Sequence, residues 1–320
     1  MVKDSKSKRS PNLELGTTEL LKECNKESLK LLEKYKIDMS LRELSPKSIE
    51  NYLSDISQWF RYIKIYQDDK CITDLEEEDL TEFFYFGKMG GNSTRRNKRR
   101  MSSVSAFYKF LRKKKIITEN PMEFIDRPKK DIDVYVQTFL SQEQVDLMKQ
   151  KLIEYGDLQL YTYAMLSLST MARVTAISNL TWDQNDFDER TFNDVLEKEG
   201  KVVTLYYSLE VRDLLKQLIQ YRKDNDIDDK GYVFYTGQED HASKSTLTEW
   251  AHKIGNMIDV PELHPHDFRH SGSQLMLLND APIELISELL NHSGLDVTKK
   301  HYLRPDKKKT QANKDKYAAI

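Results

Sequence analysis

The chain has only two cysteines in 320 residues, Cys24 and Cys71. Two isolated cysteines are too few for a disulfide framework or for a zinc site built on cysteine. We therefore expect both thiols to be reduced and structural, and we predict no metal ion and no other cofactor.

Long hydrophobic runs are also missing. No apolar run is long enough to cross a bilayer, and Met1 to Pro11 lack the apolar segment of a secretory signal. Hydrophobic residues make up 38% of the chain and charged residues 32%, a balance typical of soluble globular proteins. We expect a cytoplasmic protein with no membrane partner, and a chain of this length suits two domains.

The chain has little net charge, −2 at pH 7, which argues against a uniformly basic nucleic-acid binder. The charge is unevenly distributed, however. From Lys88 to Lys130 there are fourteen lysines and arginines and three acidic residues, a local net charge of +11 that leaves −13 elsewhere. Such a basic segment is either a solvated helix face or the electrostatic footprint of a nucleic-acid site.

Four helices are predicted before residue 120. The first covers residues 12–36, and the second begins at Ser45-Pro46, an N-cap followed by proline, with apolar residues at three- and four-residue spacing. The third begins at Thr73-Asp74 and stops at Gly90-Gly91. The fourth begins at Asn92-Ser93-Thr94 and places cations in front of a core stripe.

The basic segment, on the fourth helix and beyond it, carries the residues that we expect to contact duplex DNA. The cations expected to face the duplex are Arg95, Arg96, Lys98, Arg99 and Arg100, and those expected near its backbone are Lys113, Lys114, Lys115, Lys129 and Lys130.

The second domain is predicted to start near Phe139. Ser141 caps one helix and another spans roughly 157–170. Two short β-branched runs, 194–196 and 201–206, flank a Glu-Gly turn and indicate a small hairpin. The remainder is mostly helical, so the chain is predicted to be mainly α.

Three late segments concentrate unusual polar residues. Arg173 lies at the junction between two helices, His266 and Arg269 are three residues apart on one helix face, and His292 stands at a helix end near a turn. A lone histidine is more often a core residue than a functional one. Two arginines and two histidines around one point would nevertheless suit a phosphodiester, because guanidinium groups pair with phosphate oxygens and imidazoles donate or shuttle protons.

These residues, in this order, resemble the tyrosine recombinase, or phage integrase, family over roughly residues 40 to 305. Leu44 to Tyr52 resembles the core-binding helix of the family, and Arg112 to Pro121 resembles the close of that domain. Arg173 matches the first catalytic arginine, and His266 and Arg269 match the H-x-x-R pair. His292 matches the later histidine, and Lys198 lies where the lysine of the family's hairpin would fall.

The resemblance implies a mainly α fold with a small β-hairpin or sheet, arranged as a two-domain, C-shaped DNA clamp. It also implies a reaction without metal or nucleotide cofactor, in which a tyrosine attacks a DNA phosphate and leaves a 3′-phosphotyrosine and a free 5′-hydroxyl. Tyr302 would be the nucleophile, Arg173 and Arg269 would hold the non-bridging oxygens, Lys198 would be a general acid, and His266 and His292 would assist.

The expected domain organisation has five parts. They are an N-terminal extension (1–40), a helical SAM-like core-binding domain (41–126), a basic linker (127–138), a catalytic-type domain (139–305) and a basic tail (306–320). The expected partner is double-stranded DNA, with self-association on DNA as a dimer or tetramer and with no small-molecule substrate.

The sequence departs from the family pattern in four places. Tyr302 follows His292 by ten residues, whereas the common spacing is nine, which here falls on His301. One residue along a helix means about 100° of rotation. Ala176 replaces a carboxylate that could orient Arg173, and Met171-Ala172 and Asn291 stand where the family has glycines.

Three hypotheses follow from these observations. The first is a DNA-binding regulator, repressor-like, of a phage or mobile element, on a recombinase scaffold whose recombination is weakened or lost. The alternative is an active site-specific recombinase that cuts and rejoins DNA through Tyr302. The third is a helical protein that binds other proteins and whose basic segment is a solvated face.

Overall fold

The computed structural model describes Leu15 and residues 19–128, 139–197, 200–237 and 240–291. The chain forms two compact units, Met1–Tyr135 and Val136–Ile320. The described parts are mostly helical with one small sheet, which confirms the predicted fold class. None of the described helices is long and apolar enough to span a membrane.

The described part of the first unit contains four α-helices. Their bounds are α1, Lys26–Leu41; α2, Pro46–Tyr66; α3, Glu77–Met89; and α4, Thr94–Lys113, with short 3₁₀ turns at Glu19–Glu23 and Pro121–Glu123. Large aromatic side chains from these helices form one core, in which Trp59 packs against Tyr108 and Tyr35 against Phe107. Burial of each such side chain contributes about 1.5–3 kcal/mol to stability, so this unit has a substantial core of its own.

Two of the predicted helices differ from the described structure. The helix expected over 12–36 is interrupted, because the Asn25 side chain accepts hydrogen bonds from the backbone N–H groups of Glu27 and Ser28 and starts a new helix. The third helix begins at Glu77 and not at Thr73, because a reciprocal cap between Glu76 and Asp79 fixes its first turn. The starts predicted at Ser45-Pro46 and Ser93 are confirmed.

The described part of the second unit contains seven α-helices and a three-stranded antiparallel sheet. The described helices are α5, Gln142–Tyr155; α6, Leu158–Thr170; α7, Val174–Ser178; α8, Leu209–Asp224; α9, Lys244–Met257; α10, Pro265–Leu278; and α11, Ile283–Leu289. The strands are β1, Asn185–Asp186; β2, Thr191–Leu196; and β3, Val202–Tyr206, in the order β1-β2-β3. The predicted hairpin is β2–β3, and β1 is a strand that the sequence patterns did not indicate.

Helices α6 and α10 pack closely against each other, and this packing brings Arg269 on α10 near the segment that leads to Arg173. Gly272 on α10 faces the backbone of α6, where an added Cβ would lie 2.2 Å from the Leu168 carbonyl oxygen and 2.8 Å from Cγ of Met171. Only glycine allows this approach. Gly272 is one turn from Arg269. The close approach of the two helices therefore brings Arg269 near the Met171 carbonyl oxygen at the end of α6.

Gly272→Ala is expected to force α10 away from α6 and to lower the free energy of unfolding by about 1–3 kcal/mol, the usual cost of overpacking. Urea denaturation measures the change. Leu278→Ala is the matched control, because Leu278 is exposed near the end of the same helix. Equal stability of the Gly272→Ala and native proteins would show that the two helices can separate without cost.

Candidate functional site

Arg173 is held by a buried carboxylate. It is the N-cap residue of α7, three residues after the last residue of α6, and its side chain is 37% exposed. Its Nη1 group donates a hydrogen bond to Oε2 of Glu197, whose side chain is 1% exposed. Glu197 follows β2, so a residue next to the end of this strand fixes the guanidinium of an arginine at the start of α7.

Arg269 joins two backbone segments. Its side chain is buried, and Nη1 donates to the carbonyl oxygen of Met171 and Nη2 to that of Leu290, each at 2.6 Å. Met171 is two residues before Arg173, and Leu290 is two residues before His292 in sequence. One guanidinium therefore connects α10 to the segment that carries Arg173 and to the end of α11.

The turn end of the β2–β3 hairpin, between Glu197 and Lys201, links Arg173 to the end of α11. The Glu197 N–H group donates to the Lys201 carbonyl oxygen at 2.7 Å, and Nζ of Lys201 donates to the carbonyl oxygen of Asn291 at 3.3 Å. Contacts thus run from Arg173 to Glu197, across the hairpin to Lys201, on to the end of α11, and back through Arg269. We call this closed series of contacts the arginine ring.

His266 and His270 form a pair beside Arg269 on α10. Their rings meet edge to face, with centroids 4.4 Å apart, and His266 is exposed. The helix begins at the His264 cap, where Asp267 accepts a hydrogen bond from the His264 N–H at 2.8 Å. Burial raises the pKa of Asp267, although this backbone hydrogen bond opposes the shift.

The structure brings the segments of two of the predicted arginines, Arg173 and Arg269, into one ring and places His266 one turn from Arg269. Lys198, His292 and Tyr302 lie outside the described residues. No group of three or more His, Cys, Asp or Glu side chains that could hold a metal occurs in the part of the chain that the structure describes.

Glu197 and Lys201 are site residues that the sequence analysis missed. A signal for Glu197 was present at the end of strand β2, because the alternation of buried Val195 and exposed Leu196 continues to a buried position at Glu197. A carboxylate at a buried position requires a partner. For Lys201 no signal existed, because its partner is a backbone carbonyl distant in sequence.

Two departures from the family's glycines keep the backbone shape that glycine favours. Met171 and Asn291 both have φ of 52°, in the left-handed region. Asparagine tolerates this region better than most residues. The Met171 side chain is buried against Ile286 and Leu290, and this packing offsets the backbone strain. The substitutions therefore leave the chain path around Arg173 and before His292 intact.

The left-handed backbone of Asn291 predicts a specific pattern of stabilities. Asn291→Val is expected to cost about 1–2 kcal/mol, because a β-branched side chain clashes with the backbone at positive φ. Asn291→Gly should stay within about 0.5 kcal/mol of the native protein. Chemical denaturation measures both changes. Asn279→Val serves as the control, since Asn279 is exposed and has φ of −89°; a similar loss at both asparagines would contradict the assignment.

Helix α4 of the first unit carries the predicted basic face. Arg95 and Arg99 are exposed, and Arg96 and Lys98 are half-buried. Asp55 on α2 is fully buried and accepts hydrogen bonds from Nη2 of Arg99 at 2.7 Å and from Oγ of Ser103 at 2.9 Å. This contact fixes the Arg99 head at the surface, where 46% of its side chain is exposed.

The expectation that Arg100 faces the duplex is wrong. Its residue exposure is 2%, and its guanidinium donates a hydrogen bond to Oε1 of Gln58 on α2. Burial, together with the nearby charge of Arg96, lowers the pKa of Arg100 to about 10, so it stays protonated at neutral pH. Helical periodicity explains the error, because five cations within six successive positions cannot all lie on one face of a helix.

Three further cations predicted near the DNA backbone are exposed at the end of α4. They are Lys113, Lys114 and Lys115, and Nζ of Lys114 is 3.8 Å from Asp38. Lys129 and Lys130 lie outside the described residues.

Comparison with protein families gives two matches. Residues 138–309 match the phage integrase family, and residues 32–115 match the phage integrase N-terminal SAM-like domain.

Curated relatives cover most of the chain. A tyrosine recombinase of Thermosipho africanus is 25% identical over 86% of this chain and 94% of its own length. Tyrosine recombinase XerC of Pediococcus pentosaceus is 26% identical over 86% of this chain and 93% of its own length. Tyrosine recombinase XerD of Oceanobacillus iheyensis is 25% identical over 80% of this chain and 87% of its own length.

Solved structures share the fold. The Tn1549 transposon integrase, solved in complex with transposon right end DNA, superposes with a TM-score of 0.71 at 16% identity and covers 90% of this chain and 99% of that chain. A lambda integrase dimer bound to a COC′ core site gives a TM-score of 0.67 at 15% identity, over 86% of this chain and 76% of that chain.

Proposed function

Because the chain belongs to the phage integrase family of tyrosine recombinases, we propose that it is an active site-specific recombinase that cuts and rejoins duplex DNA. The observation that carries the proposal is the arginine ring, in which Arg173 is partly exposed and is held by the buried carboxylate of Glu197. Such an arrangement presents a fixed positive charge to an anion without requiring it to be organised during the reaction.

In the proposed reaction the Tyr302 oxygen attacks a backbone phosphorus, and the bond from phosphorus to the 5′ oxygen breaks. The products are a 3′-phosphotyrosine and a 5′-hydroxyl. Arg173 pairs with the non-bridging oxygens, and its planar fork matches their geometry. Arg269 brings a second positive charge to the ring, where charge neutralisation matters most in the transition state.

Proton transfers are assigned to residues around the two arginines. Lys198 acts as the general acid that protonates the leaving 5′ oxygen, His266 accepts the proton of the Tyr302 hydroxyl, and His292 assists by hydrogen bonding to the phosphate. His266 is exposed on the same helix as Arg269, which suits a side chain that must reach DNA. The later joining step reverses these transfers, with the 5′-hydroxyl of the partner strand as the attacking group.

The choice of a recombinase over a regulator rests on how the departures from the family pattern are accommodated. Met171 and Asn291 keep left-handed backbones, and Glu197 supplies a carboxylate to Arg173 where Ala176 has none. The remaining departure is the single extra residue before Tyr302. Misplacing the nucleophile by about 1 Å can cost on the order of a hundredfold in rate, so the recombinase requires a turn that absorbs the extra residue.

Covalent trapping tests the proposal. The bound sites are first mapped across a genome, and a nicked suicide substrate that carries such a site is then incubated with the protein. We expect a covalent protein–DNA adduct on a denaturing gel, lost in Tyr302→Phe. The control His301→Phe should retain the adduct, because His301 is one residue away from the proposed nucleophile.

A native protein that binds its site tightly but forms no adduct would contradict the recombinase and favour the regulator. Formation of an adduct only after His301→Tyr would identify the extra residue as the cause of the loss. The genome map also discriminates, because a recombinase should occupy one or two inverted crossover sites and a repressor many dispersed ones.

We assign the first contacts with DNA to the exposed cations of α4. Arg95 and Arg99 lie one turn apart on the exposed side of this helix, and Asp55 holds Arg99 in place. Contacts of this kind bind phosphates of any sequence and orient the protein on the duplex. We further propose self-association on DNA, since two strands must be exchanged.

Replacing Arg95 and Arg99 together by glutamine is expected to weaken binding to all DNA sequences and to reduce the salt slope of log K by about 1.8, because roughly 0.9 counterion is released per phosphate contact. Fluorescence anisotropy over a series of salt concentrations measures both effects. Lys30 and Lys34, exposed on α1, provide a control double variant with the same charge change. Equal salt slopes of log K for the two double variants would show that Arg95 and Arg99 of α4 do not contact the DNA.

A further inference from the structure

Glu197 is a buried acid directly after strand β2. Val195 and Glu197 are both buried, whereas Leu196 between them is exposed. A buried carboxylate is costly unless it is paired. Its Oε2 atom is paired with Nη1 of Arg173, and its Oε1 atom is buried without a hydrogen-bond partner among the described residues.

The two partners of this ion pair differ sharply in exposure. The Glu197 side chain is 1% exposed and the Arg173 side chain 37%. Replacing a buried pair by apolar groups is often neutral or stabilising, so stability alone gives little reason to keep such a carboxylate. A fixed acid beneath a solvent-facing arginine instead restricts where the guanidinium can point.

The arginine's own helix offers no equivalent contact. Ala176 is one turn further along α7 and is completely buried, and its methyl group cannot accept a hydrogen bond. The orientation of Arg173 therefore depends on a residue from the sheet, 24 positions away in sequence.

Glu197 also closes the hairpin. Its N–H donates to the Lys201 carbonyl oxygen at 2.7 Å, and Lys201 in turn contacts the Asn291 carbonyl. The backbone of Glu197 thus fixes the strand end that leads into Lys198, while its side chain fixes Arg173. A movement of the turn end of the hairpin, where Glu197 contacts Lys201, would therefore also shift the Arg173 guanidinium.

We propose that Glu197 is a positioning residue, which holds the Arg173 guanidinium in the orientation that receives the scissile phosphate. This inference rests on the recombinase function proposed above. The unpaired Oε1 atom gives Glu197 room for a second hydrogen bond to the guanidinium when DNA is bound.

The first test measures Arg173 directly and needs no DNA. Phenylglyoxal modifies arginine side chains, and peptide mass spectrometry reads the rate at Arg173 in the full-length protein. In Glu197→Gln we expect Arg173 to react several-fold faster, because the carboxylate that restrains its guanidinium is lost. Glu197→Asp keeps the negative charge on a shorter side chain, so its modification rate at Arg173 should lie between those of the native protein and Glu197→Gln. An unchanged rate at Arg173 in Glu197→Gln would overturn the proposal.

The control removes a carboxylate from a different arginine in the same unit. Asp229 accepts hydrogen bonds from Nη1 of Arg222 at 2.6 Å and from Nε1 of Trp182 at 2.8 Å. Asp229→Asn should leave the Arg173 rate unchanged. If Asp229→Asn raised the modification rate at Arg173 as much as Glu197→Gln does, the faster modification would reflect a general loss of order in the unit. The assignment would then fail.

The second test separates positioning from folding. In single-turnover cleavage of the suicide substrate, Glu197→Gln is expected to slow adduct formation by about tenfold to a hundredfold, the usual cost of a small misplacement, with DNA affinity unchanged. In an Arg173→Lys background the same substitution should have little further effect, because residues that act as a unit are non-additive.

The outcomes distinguish this inference from the proposed function. If the native protein forms no adduct, the recombinase function fails, while the phenylglyoxal rates still decide whether Glu197 restrains Arg173. If Glu197→Gln slows cleavage equally in the native and Arg173→Lys backgrounds, Glu197 acts independently of Arg173 and the inference is wrong.

Discussion

The organisation of the second unit depends on one buried guanidinium. Arg269 donates to carbonyl oxygens at the end of α6 and at the end of α11, two segments that are more than a hundred residues apart in sequence. Buried carbonyl groups require hydrogen-bond donors, and a guanidinium supplies several in a fixed plane. Without Arg269 both helix ends would lose a partner, and the order of the segments around Arg173 would no longer be defined.

The backbone adapts to this arrangement in three places. Gly272 permits the close approach of α10 to α6, and Met171 and Asn291 turn the chain through left-handed conformations next to the carbonyl groups that Arg269 and Lys201 bind. Loss of the family's glycines at the last two positions therefore changes the side chains without changing the path. This distinction matters for function, because a departure from a motif impairs a site only when it alters the geometry that the motif provides.

Carboxylates anchor arginines in both units. Asp55 holds Arg99 in the first unit and Glu197 holds Arg173 in the second, and in each pair the acid is buried and the arginine is partly exposed. Exposed ion pairs contribute little to stability. Buried acids beneath exposed cations instead reduce the conformational freedom of the cation, so that less entropy is lost when a phosphate binds.

Local patterns in the sequence were sufficient to predict most of the helices and the hairpin, and part of the candidate site. Caps and apolar spacing located α2 and α4, and the H-x-x-R spacing located the face of α10, because these signals act within one or two helical turns. The break at Asn25, the short strand β1 and the burial of Arg100 depend on packing between elements. The roles of Glu197 and Lys201 depend on partners 24 and 90 positions away, which a single sequence does not reveal.

The claim on which the account depends is that Arg173 and Arg269 serve one phosphate. It is tested most directly by the structure of the Tyr302→Phe protein bound to an intact duplex carrying its own site. We expect Nη atoms of Arg173 within about 3 Å of a non-bridging oxygen of the scissile phosphate, with Glu197 still in contact and Arg269 beside the same phosphate. A complex in which Arg173 points away from the DNA, or in which the two arginines lie at different phosphates, would contradict it.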